Sequence, residues 1–291
     1  MMQTLTFLGC GKVGRALGRR WAQAKVFSIG QVLTRHLESA QEAVSFLGSG
    51  IPICEFSSIE PADAFFLAVP DDALSGVARE LAQTGMIMEG AICWHASGAI
   101  PSSVLKPLQE AGAEVASFHA AKSFADPALA AETFAGTPCV IEGGTEACLL
   151  LSEACRAIGG IPIEVKMSNR DKAVYHAGTT LASNCLVALT EVAVQCIEQA
   201  GFQREQAMQL LGPLMTGSIQ NVIKLGTVQA LTGPISRGEV GTVARHLAAL
   251  EGNKPVVVHA YRLLGQLIVD LARKQENANQ DTLNTIHELL R

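Results

Sequence analysis

Residues Thr4–Trp21 read TLTFLGCGKVGRALGRRW, with glycines at 9, 11 and 14 in the spacing G-x-G-x-x-G. Alone, that spacing is weak, because glycine-rich turns are common; its flanks give it meaning. Thr4 to Leu8 is apolar and β-branched, as a strand should be. From Val13 to Ala24, the residues Val13, Ala16, Leu17 and Trp21 share one helical face. Strand, loop and helix therefore follow in the order a dinucleotide site requires. Gly9 allows the tight turn, Gly11 close approach of a pyrophosphate, and Gly14 close helix–strand packing. The amides of Cys10, Lys12 and Val13 border that position, and the helix N-terminus offers free N–H groups to phosphate.

The next strand reads Gly30 to Thr34, followed by Arg35 and His36. An NAD site usually carries an acidic residue there for the ribose 2′-hydroxyl. None occurs between Ala24 and Leu37. Thr34 and Arg35 instead supply a hydroxyl and a fixed cation suited to a 2′-phosphate, so the expected cofactor is NADP. The alternative for Arg35 is a solvated residue at a helix start.

Composition narrows the class. At 291 residues, with 48% hydrophobic and 17% charged residues, the chain can bury two domains. A net charge of −5 without a basic run argues against nucleic acid as partner. The most apolar long segment, Ala177 to Val194, is interrupted by Thr, Ser, Asn and Glu, and reads as a poor membrane span. The N-terminus lacks the pattern of a signal peptide. The eight cysteines form no C-x-x-C pair and no metal cluster with histidine. Scattered singly in apolar stretches, they read as reduced core residues, and the expected setting is the cytoplasm.

The first half alternates strands with helices. Asp63 to Asp72, DAFFLAVPDD, is a continuous apolar run ending in Pro and Asp, as in a parallel strand buried on both faces. Ala68, Val69 and Pro70 at its end should border the cofactor. Gly90 to Ala99, EVASFHA from Glu114, TPCVIEGG from Thr137 and IPIEV from Ile161 continue the series. The expectation is a doubly wound, mostly parallel α/β sheet over residues 1–165, with ligands at the carboxyl ends of its strands. From 166 to 291 everything reads as helix. It begins with one of about 30 residues, from Asp171 to Ala200, about 45 Å long at the standard rise. Helices 204–211, 214–231 and 240–250 follow, with two more to the end. A helix so long and apolar needs cover on several sides, and a homodimer interface would supply it.

FLGCGKVG, AVPDD and the all-helical second half together resemble the two-domain NADP-dependent oxidoreductases. Among these are pyrroline-5-carboxylate reductase, prephenate dehydrogenase and the β-hydroxyacid dehydrogenases. YHAGTTLASNCLVAL and ALTGPISRGEVGTVARHLAAL look most like the Rossmann-like group whose C-terminal domain is of unknown function. The likeness implies an NADP-dependent enzyme acting on a small acidic metabolite, either a 2-oxo acid such as ketopantoate or a cyclic imino acid. Prephenate dehydrogenases carry Ser after the fifth strand and His after the sixth, matched here by Ser97 and His119. Where that family has Pro after the His, this chain has Ala120. The Lys-x-x-x-Asn of the β-hydroxyacid dehydrogenases is absent from the long helix.

The residues themselves also select Ser97 and His119, polar groups at strand ends. An imidazole has an ordinary pKa of about 6.5, close to working pH. His119 is therefore the candidate for polarising the substrate or donating a proton, with Ser97 orienting the substrate or the nicotinamide amide. His95, within an apolar stretch, reads as a hydrogen-bonded core histidine. At 100° per residue, Lys172, His176, Thr180, Ser183 and Asn184 fall within an arc of about 120° on the long helix. His176, Thr180 and Asn184 on that stripe are candidates for the opposite wall, against the alternative of a plain solvent face. Lys122 and Arg237 are candidates to hold a substrate carboxylate, although Arg237 could simply pair with Glu239. The rival reading is an NADP-binding sensor or scaffold without turnover.

Overall fold

The computed structural model describes residues 2–252, 254–275 and 277–291. They fold into two compact units, Met1–Ser183 and Asn184–Arg291.

The first unit is built on an eight-stranded sheet. Its strands are β1 (Thr4–Leu8), β2 (Ser28–Leu33), β3 (Ile51–Ile53), β4 (Ala64–Leu67), β5 (Ile92–His95), β6 (Glu114–Ala120), β7 (Pro138–Gly143) and β8 (Ile161–Glu164). The order is β3-β2-β1-β4-β5-β6-β7-β8, so the chain reverses direction across the sheet between β1 and β4. All neighbours are parallel except β6 and β7. Around the sheet lie α1 (Lys12–Gln23), α2 (Leu37–Leu47), α3 (Asp71–Gln83), α4 (Lys106–Glu110), α5 (Pro127–Glu132), α6 (Thr145–Ala157) and α7 (Asn169–Ala182). The short α5 had no periodic signal. Asp126 caps it, accepting from the amides of Ala128 and Leu129.

The apolar periodicity explains what holds this unit. Leu17 and Trp21 of α1 are fully buried against the sheet. Trp21 meets Phe27, Phe66, Trp94 and Phe118 edge-on at 5.7–5.9 Å, and Phe66 stacks on Trp94 at 5.3 Å. Such pairs add about 0.5–1.5 kcal/mol each beyond the area they bury. β4, with every residue buried, is the two-faced central strand its apolar run implies.

The second unit consists of α8 (Asn184–Gln199), α9 (Arg204–Ala230), α10 (Val240–Leu250), α11 (Pro255–Gln275) and α12 (Gln280–Leu289). Its cores are small: Val243, Val269, Ala272, Leu283, Ile286 and their neighbours in one, and Val194, Ala207 and Leu211 in another.

Two expectations about the helices need correction. The long helix is two, α7 and α8, parted at Ser183, whose φ of −117° and ψ of −74° leave the regular helix. Lys172 draws α7 into the first unit by burying its ammonium there. The first compact unit accordingly includes α7 and ends at Ser183. The break at Gly212-Pro213 does not occur: α9 runs through Pro213 and kinks at Gly226 instead. There φ is 78°, a left-handed conformation that favours glycine. By length and composition, Asn169–Gln199 and Pro255–Gln275 are apolar enough to cross a membrane, although the first is interrupted at Ser183.

Candidate active site

The glycine loop follows β1 and leads into α1. Gly9 has φ +74°, and its amide donates to the carbonyl of Leu33 at 2.7 Å, so the turn is tight and left-handed. A side chain at Gly9 would strike Val69 and the Ala68 carbonyl, at 2.6 and 2.8 Å. At Gly14 it would meet the Ala68 methyl at 2.9 Å, which fixes how closely α1 packs on the strand ends. Above Gly11 there is nothing within 4 Å. Two glycines serve close packing and the middle one borders open space, as a bound pyrophosphate requires. Gly11 is the N-cap of α1 and offers no side-chain cap, and the first turn holds no acidic residue. The amides at this terminus are therefore available to an anion.

Around the loop, Cys10 lies beneath, and burial pushes its thiol up to about 12, so it is inert. The Lys12 ammonium donates to the carbonyl of Ala125 at 2.8 Å, and Val13 is half-buried. Ala68, Val69 and Pro70 leave β4 beside Gly9, the Ala68 amide donating to Leu8 O at 2.8 Å. At the end of β2, the Thr34 hydroxyl donates to the carbonyl of His36 at 2.7 Å. Arg35 is exposed and makes no ion pair among the described residues. These residues fit NADP: an open cradle, a helix terminus and a free cation where an acid would select NAD.

Further along the carboxyl edge, β5, β6 and α7 bring a second group together. His119, near the end of β6, places Nδ1 2.8 Å from the hydroxyl of Tyr175 on α7. The His119 ring meets those of Tyr175 and His176 edge-on, with centroids 5.6 and 5.5 Å apart. Gly98, in the loop after β5, makes this possible. A β-carbon there would lie 2.8 Å from Nε2 of His119 and would overlap Nδ1 of His176. Both imidazoles thus face the same small volume. Burial and the neighbouring His176 and Lys172 push His119 down to about 4, although Asp71 acts the other way. It is therefore neutral at pH 7 and not a poised imidazolium.

Ser97 is buried in the same loop. Its hydroxyl donates to Asp71 Oδ2 at 2.8 Å and accepts from the amides of Ala99 and Ile100, so in this structure it ties the loop to the start of α3. His95 is a hydrogen-bonded core histidine, as its setting implied. Its Nδ1 accepts from the Ser97 amide at 3.1 Å and its Nε2 lies 3.3 Å from Pro101 O.

Beneath the site runs a buried polar chain. Lys172 Nζ, 1% exposed, lies 2.7 Å from Glu142 Oε1 and also bonds the hydroxyl of Ser117. The amide and hydroxyl of Ser102 donate to the same carboxylate, at 2.7 and 2.8 Å. Burial alone would raise Glu142, but Lys172 and Ser102 hold its carboxyl below the ordinary value. Burial draws Lys172 below its own ordinary value despite that partner.

Sequence reasoning passed over Tyr175, Gly98, Asp71 and Glu142. Each stood in a stretch already marked, but none was singled out, because its partner lies far away along the chain. Of the other candidates, Thr180 is half-buried on α7 and Asn184 is exposed at the start of α8, in the other unit. The Lys122 ammonium donates to Thr133 O at 2.8 Å, and Arg237 pairs with Glu239 at 2.6 Å.

Known proteins bear this architecture out. Residues 3–120 match a Rossmann-like domain, and residues 137–268 match a domain of unknown function, DUF2520. The protein TM1727 of Thermotoga maritima is 24% identical, with a TM-score of 0.71 over 93% of this chain and 99% of its own. BF3122 of Bacteroides fragilis, described as a candidate NADP oxidoreductase, is 18% identical, with a TM-score of 0.69 over 94% and 98%. A Plasmodium falciparum pyrroline carboxylate reductase with NADP bound is 13% identical, with a TM-score of 0.58 over the whole of both chains. At these identities the likeness is one of fold. No curated protein matches the chain. The chain thus resembles a Rossmann-like domain over residues 3–120 and the DUF2520 domain over residues 137–268.

Proposed function

We propose that the chain is an NADP(H)-dependent oxidoreductase that acts on a C=O or C=N bond of a small metabolite, a 2-oxo acid or a cyclic imino acid. The observation that carries this reading is the pairing, in one unit, of an open G-x-G-x-x-G cradle with two imidazoles converging over Gly98. The NADP-bound fold neighbour supports the cofactor. NADPH, when bound, supplies the hydride. The amides at the start of α1 would hold its pyrophosphate, and Arg35 and Thr34 its 2′-phosphate. Ala68, Val69 and Pro70 border it. His119 and His176 hold the substrate heteroatom, a neutral His119 polarises it by donating a hydrogen bond, and the proton that completes the reduction comes from solvent. Ser97 keeps the loop under that atom in place. Thr180 stands as a further wall residue of this unit, while Asn184 belongs to the other unit. Lys122 and Arg237 are carboxylate ligands only if they exchange their present partners for substrate.

The same reading includes a homodimer and a cytoplasmic setting. The dimer is supported by the apolar side chains the helical unit leaves exposed, and the setting by eight free cysteines.

The test is NADPH oxidation against a panel of 2-oxo acids and cyclic imines, with His119→Asn as control. Wild-type turnover on at least one substrate is expected. The variant should lose about 100-fold in kcat and keep NADPH affinity within a few-fold. Tight NADPH binding with no turnover on any member would favour the sensor instead.

A further inference from the structure

A neutral imidazole has one donor and one acceptor nitrogen, and the partner of one decides what the other offers. Nδ1 of His119 is engaged by the Tyr175 hydroxyl, so Nε2 is the nitrogen left to face a ligand. Nε2 borders the space over Gly98. What Nε2 does there depends on which group carries the proton in the His119–Tyr175 bond.

Two features place it on the phenol. A phenol O–H is a stronger donor than a neutral imidazole N–H, and a bare ring nitrogen a stronger acceptor than a phenol oxygen, so across the 2.8 Å contact between Tyr175 and His119 Nδ1 the phenol donates. Burial of Tyr175 raises its phenol above the ordinary value, so it keeps that proton. The charged and titratable groups acting on His119, namely His176, Lys172 and Asp71, leave the ring neutral.

We propose that Tyr175 is a positioning residue that locks His119 as the Nε2–H tautomer and aims that N–H at the volume over Gly98. The consequence is directional. An Nε2–H donor holds a carbonyl oxygen or imine nitrogen before hydride arrives, whereas a bare Nε2 would serve to accept a proton from an alcohol. The lock rests on the oxidoreductase reading only for what fills that volume. The tautomer itself is a property of the free protein.

The experiment is long-range proton–nitrogen NMR of the full chain, labelled with ring-15N histidine, at neutral pH without cofactor. His119 is assigned by its loss in His119→Asn. Wild-type His119 should show a bare Nδ1 and a protonated Nε2. Tyr175→Phe, which keeps the ring, should give a mixture of tautomers. It should also cut turnover about tenfold to 100-fold, with KM and NADPH affinity within a few-fold. A wild-type Nδ1–H would overturn the proposal. So would Tyr175→Phe with a pure Nε2–H tautomer and unchanged turnover. If Tyr175→Phe does not fold, the wild-type tautomer alone decides. A locked Nε2–H tautomer in a protein that reduces nothing would support the lock while removing the oxidoreductase reading.

Discussion

The two units spend their apolar residues differently. The sheet-bearing unit holds all of the largest fully buried side chains, including Trp21, Trp94, Phe7, Phe66 and Phe118. The helical unit leaves Val187, Leu214, Ile223 and Leu263 between 63% and 79% exposed. An apolar cavity of about 470 Å³ also opens there, walled by Leu189, Cys196, Ile235, Leu250 and Leu264 among others. A sheet covered by helices on both faces closes its own core, and a set of helices with thin cores does not. Exposed apolar side chains concentrated in one unit point to an interaction face. The first unit closes its main core within one chain, although Val174 and Leu181 of α7 stay exposed, and the second leaves more apolar surface to be covered.

The prediction that bears hardest on this contrast is the dimer. Sedimentation at micromolar concentration should give twice the 30.7 kDa of one chain. Val187→Glu combined with Ile223→Glu should halve that mass. A wild-type monomer would mean that the second unit tolerates its exposed face alone.

Next in size is the buried pair of the first unit. Removing one partner from a buried ion pair costs about 3–5 kcal/mol, because the other charge stays behind without compensation. Lys172→Met should lower stability by that amount in urea, whereas Lys172→Met with Glu142→Leu should recover much of it. A single variant as stable as wild type would show that α7 is held to the sheet by something else.

The same unit should also be the acid-sensitive one. His95 and His119 are pushed down to about 4, against about 6.5 for an unfolded histidine. Between those values the unfolded chain binds more protons. Stability is thus complete above about 6.5 and is lost as pH falls toward 4, by up to about 1.4 kcal/mol per unit for each histidine. Urea unfolding at about pH 7 and about pH 5 measures it. A flat profile would remove both histidines from the core account.

The smallest effect is at the edge of the sheet. NADPH should bind at least about tenfold more tightly than NADH, and Arg35→Ala should erase most of that, about 1.4 kcal/mol. Equal affinities in a calorimetric titration of the wild type would leave Arg35 as a solvated surface residue.

Much of the first unit was legible in the chain. A strand buried on both faces has no choice but to be apolar throughout, so β4 was visible as DAFFLAVP. The roles of Gly9, Gly11 and Gly14 follow from local backbone geometry and were readable from three positions. The core reading of His95 was likewise available from its apolar neighbours. The helix ends were less so. Pro213 marked a break that α9 runs through, while the kink came at Gly226, one small residue among several in that stretch.

The site divides along the same line. Local sequence determined the loop, the strand ends and the presence of a histidine near the end of β6, because each depends on residues a few positions apart. Only the tertiary structure decided that His119 is neutral and bonded to Tyr175, that Gly98 is where His119 and His176 converge, and that Lys172 belongs to Glu142. Those partners lie 56, 55 and 30 residues away along the chain in the bonds His119–Tyr175, Lys172–Ser117 and Lys172–Glu142. A pKa is set by what surrounds a group in space, and a helical stripe such as Lys172, His176 and Thr180 looks the same whether it meets water or a carboxylate.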